Sequence, residues 1–399
     1  MRGARILFAG VVAFAGCAKT PKPPVGPKPG DGAAAGTVGE ADAYTAAALK
    51  AVEFLRAHQN ADGGYGQVQG QPKSIVGVTS LVAYSMMVSP ARLTEASSPE
   101  LAKAIQFIVE KQDEAGCIVD PVMPLANYNT STGVMALVRT GNPAYSEALA
   151  KAKAYLRGIQ LDEGEGVGRD DPFFGGSPYQ PGKKISDASN TGMWMDAMKE
   201  LGLTEDDPAM QKALVFMRRV SNNPEVNDQP WAKNPDPADK GGAVYRPAED
   251  IERTAKGKEV DVSKAGKRGV KGWRSYGSIT YQMFKGFIYA GRKKDDAGVS
   301  GALDWIGSNW TLDENPGIGA EGQYYYYRIF ARAHAAFGER VFAGHDWAKE
   351  LADKLVSLQR EDGSWTNPQD RWMEGDPALV TAFALEALSF AIDEMARGE

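Results

Sequence analysis

From residue 46 onward the chain places apolar residues at a helical period, and it repeats the pattern many times. In the run 46–65, Leu49, Val52 and Leu55, with Ala48 and Phe54 beside them, recur at the spacing of one helix face. Gln59 follows, then Asp62-Gly63-Gly64, a turn that stops the helix. A second helical run covers Val76 to Met87, and the same order of elements then returns. Helices are predicted over Leu101–Gln112 and Thr130–Val138, over Ala148–Gln160 and Asn190–Leu201, and over Met210–Val220 and Tyr276–Ala290. Val299–Trp310 with Tyr324–Phe337, and Ala348–Gln359 with Ala378–Ile392, complete the series. Gln59, Gln112, Gln160 and Gln359 hold equivalent places, 53, 48 and, across four repeats, 199 residues apart. A period of about 50 residues means twelve helices in six hairpins. An open solenoid needs polar terminal repeats. Here the first repeat is apolar, and Val380 to Ala391 is among the most apolar stretches of the chain. Closing the ring satisfies both ends, so the predicted fold is all-α, an (α/α)6 toroid of inner and outer helices.

Composition narrows the class. Hydrophobic residues make up 43%, enough for a sizeable core, and a net charge of −6 gives no reason to expect nucleic acid. With only His58, His334 and His345 and only Cys17 and Cys117, neither a His-rich metal site nor a disulfide framework is expected, and no cofactor is implied. The N-terminus gives Cys17 a task. Arg2 and Arg5 precede an apolar run, Ile6 to Ala15, too short to span a bilayer comfortably. It ends in Phe14-Ala15-Gly16-Cys17, which resembles the bacterial lipobox; that resemblance implies a diacylglyceryl group on the Cys17 thiol. The alternative is an ordinary signal peptide, or an uncleaved anchor, with an incidental cysteine. The expected organisation is a lipoprotein signal over 1–17, a Pro/Gly/Lys-rich tether over 18–39, and a toroid over 40–399 with a loop insertion at about 222–272. Such a protein is exported and held at a membrane of the bacterial envelope by its lipid.

The turn Gln359-Arg-Glu-Asp-Gly-Ser-Trp365 resembles the QW repeat of squalene and oxidosqualene cyclases and of the related protein prenyltransferases. Gln59-Asn-Ala-Asp-Gly-Gly-Tyr65 is a variant, and Gln112–Gly116 and Gln160–Gly164 are weaker ones. The resemblance spans about 46–391 and implies that Gln359 bonds helix ends while Trp365 packs nearby. It also exposes departures. The acid motif of class II terpene cyclases, Asp-x-Asp-Asp-Thr, corresponds here to Asp187-Ala-Ser-Asn-Thr191, with Ser189 at the proton-donating position. A hydroxyl is far too weak an acid to protonate an alkene, so squalene cyclisation by the usual route is not expected. The prenyltransferase zinc set of Asp, Cys and His lacks support, because Cys117 reads as a buried, inert thiol. The Cys-Gly-Glu-Gln sequence of thioester toroids does not occur.

What remains is a set of long loops rich in acids and aromatics, which the family topology would gather at one mouth of the ring. Candidate acids are Asp170, Asp171, Asp187, Glu314, Glu374 and Asp376. Candidate ligand contacts are Phe173, Phe174, Trp273, Arg274, Tyr276, Tyr324, Tyr327 and Trp372. Each has a plainer reading. Asp187 and Asp376 suit helix starts, and Asp170 and Asp171 suit a solvated turn. Arg274 and Arg371, each beside a Trp, suit pairing with acids or stacking at the rim. In Tyr324–Tyr327 the helical advance of about 100° per residue groups Tyr324 with Tyr327, so one set packs and the other faces the interior. Three functions stay open: a binder of a hydrophobic or amphipathic ligand (lipid, isoprenoid or glycan), a carbohydrate-active hydrolase or lyase, and a terpene cyclase with a relocated acid.

Overall fold

A computed structural model describes residues 40–247 and 274–397. The expectations for the signal segment, Cys17 and the tether, for the rest of the insertion with its basic run, and for Trp273 lie outside the described residues. Among the described residues, twelve α-helices follow one another as predicted. They are α1 (Glu40–Ala57), α2 (Val76–Val88), α3 (Pro99–Val109), α4 (Ala126–Thr140), α5 (Ser146–Gly158) and α6 (Ala188–Glu200). Then come α7 (Pro208–Arg219), α8 (Gly277–Tyr289), α9 (Ala297–Ser308), α10 (Gln323–Phe337), α11 (Trp347–Leu358) and α12 (Pro377–Arg397). No described helix is long and apolar enough to cross a membrane.

Even-numbered helices form the inner ring. Each packs against the next, from α2 through α4, α6, α8 and α10 to α12, and α12 packs on α2. The division follows from where apolar residues fall. Every residue of α2 is buried, because partners flank it on all sides. In α3 burial is confined to Leu101, Ala104, Ile105, Phe107 and Ile108, one stripe facing inward.

The recurring turn explains how neighbours are joined. Gln59 donates through Nε2 to the carbonyl of Gly63 in its own turn and to Glu100 in the outer helix of the next repeat, at 2.8 and 2.7 Å. Gln112 does the same with Gly116 and Ala148, and Gln160 with Gly175 and Ala209. In the fourth repeat Asn223 substitutes, donating to Ala297 at 2.8 Å. Gln359 donates to Gly363 at 3.0 Å and to Ala47 of α1 at 2.9 Å, so the tie that links neighbours also closes the circle. Trp365 is fully buried, its indole N–H donating to the Leu355 carbonyl at 2.8 Å. Both residues therefore have the structural roles that the QW resemblance implied.

The glycine of this turn is required twice over. Gly175 has φ +83°, and a methyl group there would lie 1.8 Å from the Lys212 carbonyl oxygen, in the outer helix of the next repeat. Gly63, Gly116, Gly241 and Gly363 stand equally against backbone of the following repeat. Gly175→Ala should thus destabilise the protein by about 3 kcal/mol, from left-handed strain and a clash with rigid backbone. Gly182→Ala, at φ +76° but facing open space, should cost only about 1 kcal/mol. Urea unfolding of both variants checks the difference, and equal losses would mean the close approach carries no weight.

Candidate functional site

Six helix N-termini leave backbone N–H groups in need of acceptors. The ring supplies most of them from the following repeat. The N–H of Val76, opening α2, donates to Asp120 of the second repeat at 2.7 Å. Asn127 in α4 donates to the Tyr179 carbonyl at 3.1 Å, and Ala188 in α6 to the Tyr245 carbonyl at 2.9 Å. In α8 the acceptor is Asn315 Oδ1, 2.9 Å from the Ser278 nitrogen. Glu374 serves α10, accepting from Tyr325 and Tyr324 nitrogens at 2.7 and 3.3 Å. Asp376 caps its own helix α12 through Ala378, and it also takes the Gln67 N–H of the first repeat at 3.0 Å.

Around these N-termini lies a cavity of about 420 Å³. All six inner helices contribute, with Val78, Tyr128, Ser189, Ser278, Tyr325 and Phe383 among the wall residues. The loops add Met123, Tyr179, Tyr245, Tyr276, Ile318 and Met373. The walls are chiefly aromatic and aliphatic. Charge enters through two pairs, Arg371 with Glu321 at 2.5 Å and Arg246 with Asp187 at 3.7 Å, and through Glu374. Arg371 also stacks on Trp372, 4.3 Å from the ring centre. Ser189 shares a 2.8 Å hydrogen bond with the Tyr325 hydroxyl, and the Tyr179 and Tyr245 hydroxyls share another of 2.8 Å. A second hollow of about 410 Å³, on the rim beside Lys240, Asp304 and Trp305, draws on none of the inner helices.

Deeper along the ring axis the inner helices become charged. Asp196, Lys285, Arg328, Arg332 and Glu386 lie one to two turns past the cavity-lining residues, about 5–10 Å further in. All five are buried. Lys285 meets Asp196 at 2.7 Å; Glu386 accepts from Arg328 at 2.7 Å and from Arg332 at 2.5 Å. Burial raises both carboxyls, but the surrounding cations outweigh it and hold them below their ordinary values. Burial brings Lys285 down to about 8. These ion pairs lie past the cavity along the inner helices, with the Arg328 guanidinium 6.0 Å from the ring centre of the wall residue Phe383.

The structure distributes the predicted residues unevenly. Tyr276, Trp372 and Glu374 line the cavity. Asp187 is buried behind the wall, capping α6 through the Asn190 nitrogen at 2.8 Å. Phe173 and Phe174 do not reach the cavity; they are buried in the core of the third turn, with Lys212 of α7 beside the Phe174 ring. Asp170 and Glu314 are exposed, and Asp171 accepts from the Phe173 nitrogen within its own turn. Arg274 pairs with Asp239 at 2.9 Å and Asp236 at 3.2 Å, away from the wall. Tyr324 and Tyr327 pack edge to face, and Tyr327 donates to the Leu312 carbonyl at 2.6 Å. Tyr325 faces the cavity instead. Sequence reasoning also passed over Tyr128, Asn129 and Phe383, whose common signal is a place in the opening turns of an inner helix, and Arg246, which stands in the insertion. Among the described residues no group of three or more His, Cys, Asp or Glu is arranged to hold a metal ion. Cys117 is buried and unbridged.

These features define an α/α toroid with a cavity at the N-terminal mouth of its inner ring. No family model and no curated protein matches the sequence. Among solved structures the chain is similar to the type II terpene cyclase MstE from Scytonema in complex with geranylgeranyl dihydroxybenzoate. Identity is 12% over 89% of this chain and 99% of that one, with a TM-score of 0.51. It is also similar to the GH76A alpha-1,6-mannanase from Salegentibacter sp. HEL1_6, at 10% identity over 87% and 99% of the chains and a TM-score of 0.58. A further glycosidase matches at 11% identity over 89% and 98%, with a TM-score of 0.52. At such identities the likeness concerns the fold.

Glu374 offers a test of the wall. Burial raises its carboxyl from 4.5 to about 6, against the lowering effect of its hydrogen bonds. The folded state then holds the proton more tightly than the unfolded one. The associated stability is full below pH 4.5 and is lost as pH rises through about 6, amounting to about 2 kcal/mol. Relative to wild type, Glu374→Gln should flatten the stability–pH curve across that interval in equilibrium unfolding. An unchanged slope would show that the proton is held elsewhere.

Proposed function

We propose that this protein binds an apolar or amphipathic small molecule in the mouth cavity and does not cyclise squalene by the usual route. The observation that carries the reading is the combination of aromatic and aliphatic walls with acids already engaged. Ser189, at the position of the cyclase acid, holds only a hydroxyl bonded to Tyr325. Of the carboxylates on the described wall, Glu321 is paired with Arg371 and Glu374 caps α10. A glycosidase needs two carboxylates at liberty to donate and accept protons at the scissile bond, and a relocated cyclase acid needs one proton to give. Neither is supported by this arrangement. The buried ion pairs further along the inner helices favour a compact ligand over one threaded through the ring. We also propose that the chain is a lipoprotein of the cell envelope, attached through Cys17; the lipobox-like flank supports this, and membrane attachment would place the cavity near a source of apolar ligands.

Farnesyl methyl ether, an apolar probe without a hydrogen-bond donor, should bind the purified protein and quench Trp372 fluorescence. Val78→Phe, which fills cavity space, should weaken binding about tenfold with little change in melting temperature. If the ether fails to bind while α-1,6-linked mannose oligosaccharides bind or are cleaved, the carbohydrate reading replaces this one. For the anchor, growth with radiolabelled fatty acid in a bacterial host should label wild type and leave Cys17→Ser unlabelled. Equal labelling of the two would dispose of the lipidation proposal.

A further inference from the structure

Two buried side chains on the cavity wall accept no hydrogen bond. Asn129, in the first turn of α4, and Asn190, in the first turn of the neighbouring α6, are each only 1% exposed. The Oδ1 atom of each has no partner among the described residues. The amide orientations are set by the nitrogen side. Asn129 Nδ2 donates to the Met123 carbonyl at 2.9 Å. Asn190 Nδ2 donates to both carboxylate oxygens of Asp187, at 3.1 and 3.0 Å. Flipping either amide would set oxygen against oxygen, so in both cavity-lining residues it is the acceptor that stays without a donor. A buried acceptor without a donor is costly, and native proteins leave few of them.

The wanted group is therefore a donor, and its charge can be read from the surroundings. An ammonium would face the positive ends of the inner helices and the guanidinium groups of Arg246 and Arg371, while the wall carboxylates Glu321 and Glu374 are already engaged by Arg371 and the α10 N-terminus. An anion would meet two amide oxygens and find each guanidinium already matched by a carboxylate. A neutral hydroxyl meets neither penalty. The apolar remainder of the wall, Ile75, Val78, Leu125, Leu379 and Phe383 among it, suits a hydrocarbon body.

We infer that the ligand is a neutral alcohol, a hydrocarbon framework bearing a hydroxyl that donates to Asn129 or Asn190. The inference rests on the cavity-binding reading above and adds the chemistry of the polar group. Paired probes separate the two claims. Farnesol and farnesyl methyl ether share the same chain, and only the alcohol donates a hydrogen bond. Titrated against the purified protein, farnesol should bind about tenfold more tightly than the ether, and farnesoic acid should bind more weakly than farnesol. Asn129→Leu should lower the affinity for farnesol and bring the alcohol-to-ether ratio towards unity. Equal affinities for alcohol and ether in wild type would overturn the hydroxyl inference and leave cavity binding standing. Tighter binding of the acid would overturn it in favour of an anionic head. Failure of all three probes to bind would remove both claims together.

Discussion

Each turn between an outer and an inner helix exchanges hydrogen bonds with the repeat that follows, and the rest of the structure depends on that arrangement. A hairpin alone would leave N–H groups at the start of its inner helix without acceptors, at about 1–3 kcal/mol for each buried group left unpaired. The next repeat resolves this with a carboxylate, amide or carbonyl oxygen, and its outer helix in turn receives the side-chain amide of the turn before it. Because each exchange joins a repeat to the one after it, no repeat is complete without a successor. The sixth repeat finds its successor in the first, through Gln359 on Ala47 and Asp376 on Gln67. Closure is thus a matter of hydrogen-bond accounting as much as of apolar burial.

The same arrangement bears on chemistry. Acids gather at the mouth because helix N-termini gather there, and an acid that holds backbone N–H groups has its oxygens occupied. Asp187, Glu374 and Asp376 all sit in this way. Burial raises the proton affinity of each, which by itself would mark a catalytic candidate. Geometry decides against that reading: the shifted carboxyls face backbone donors, and the cavity is left with hydroxyls, amides and hydrocarbon.

The fold was legible because its signal is periodic. Gln59, Gln112, Gln160 and Gln359 each occur once per repeat, and the helical runs between them required only apolar spacing. The site was legible in outline, since gathering the loops at one mouth follows from the hairpin order, and Tyr276, Glu374 and Trp372 do stand there. Individual contacts were less readable for physical reasons. Spacing along α10 groups Tyr324 with Tyr327 but says nothing of which face meets the axis; packing against α12 turns Tyr325 inward, where it meets Phe383 edge to face. Phe173 and Phe174 sit in a Gly/Pro-rich turn that looks solvent-facing, yet the turn folds back onto α7 and buries them. Asn129 and Asn190 are polar residues in helix openings, where capping is the ordinary explanation, and only the partner list shows what their oxygens lack.

The sixth repeat also carries backbone strain at the mouth. Trp372 and Met373 have φ values of +56° and +67°, a conformation that costs non-glycine residues about 1–2 kcal/mol each. Core burial does not hold Trp372 there, since it is 53% exposed, whereas Met373 is half-buried against the core. The strain is imposed from both sides. Arg371 is drawn to Glu321, and Glu374 is drawn to the α10 N-terminus and to Asn367 at 2.6 Å, leaving the two residues between to complete the connection. Capping α10 from a neighbouring loop thus has a structural consequence: it presents an indole and a thioether to the cavity. The constraint that closes the ring is therefore also the one that shapes its mouth.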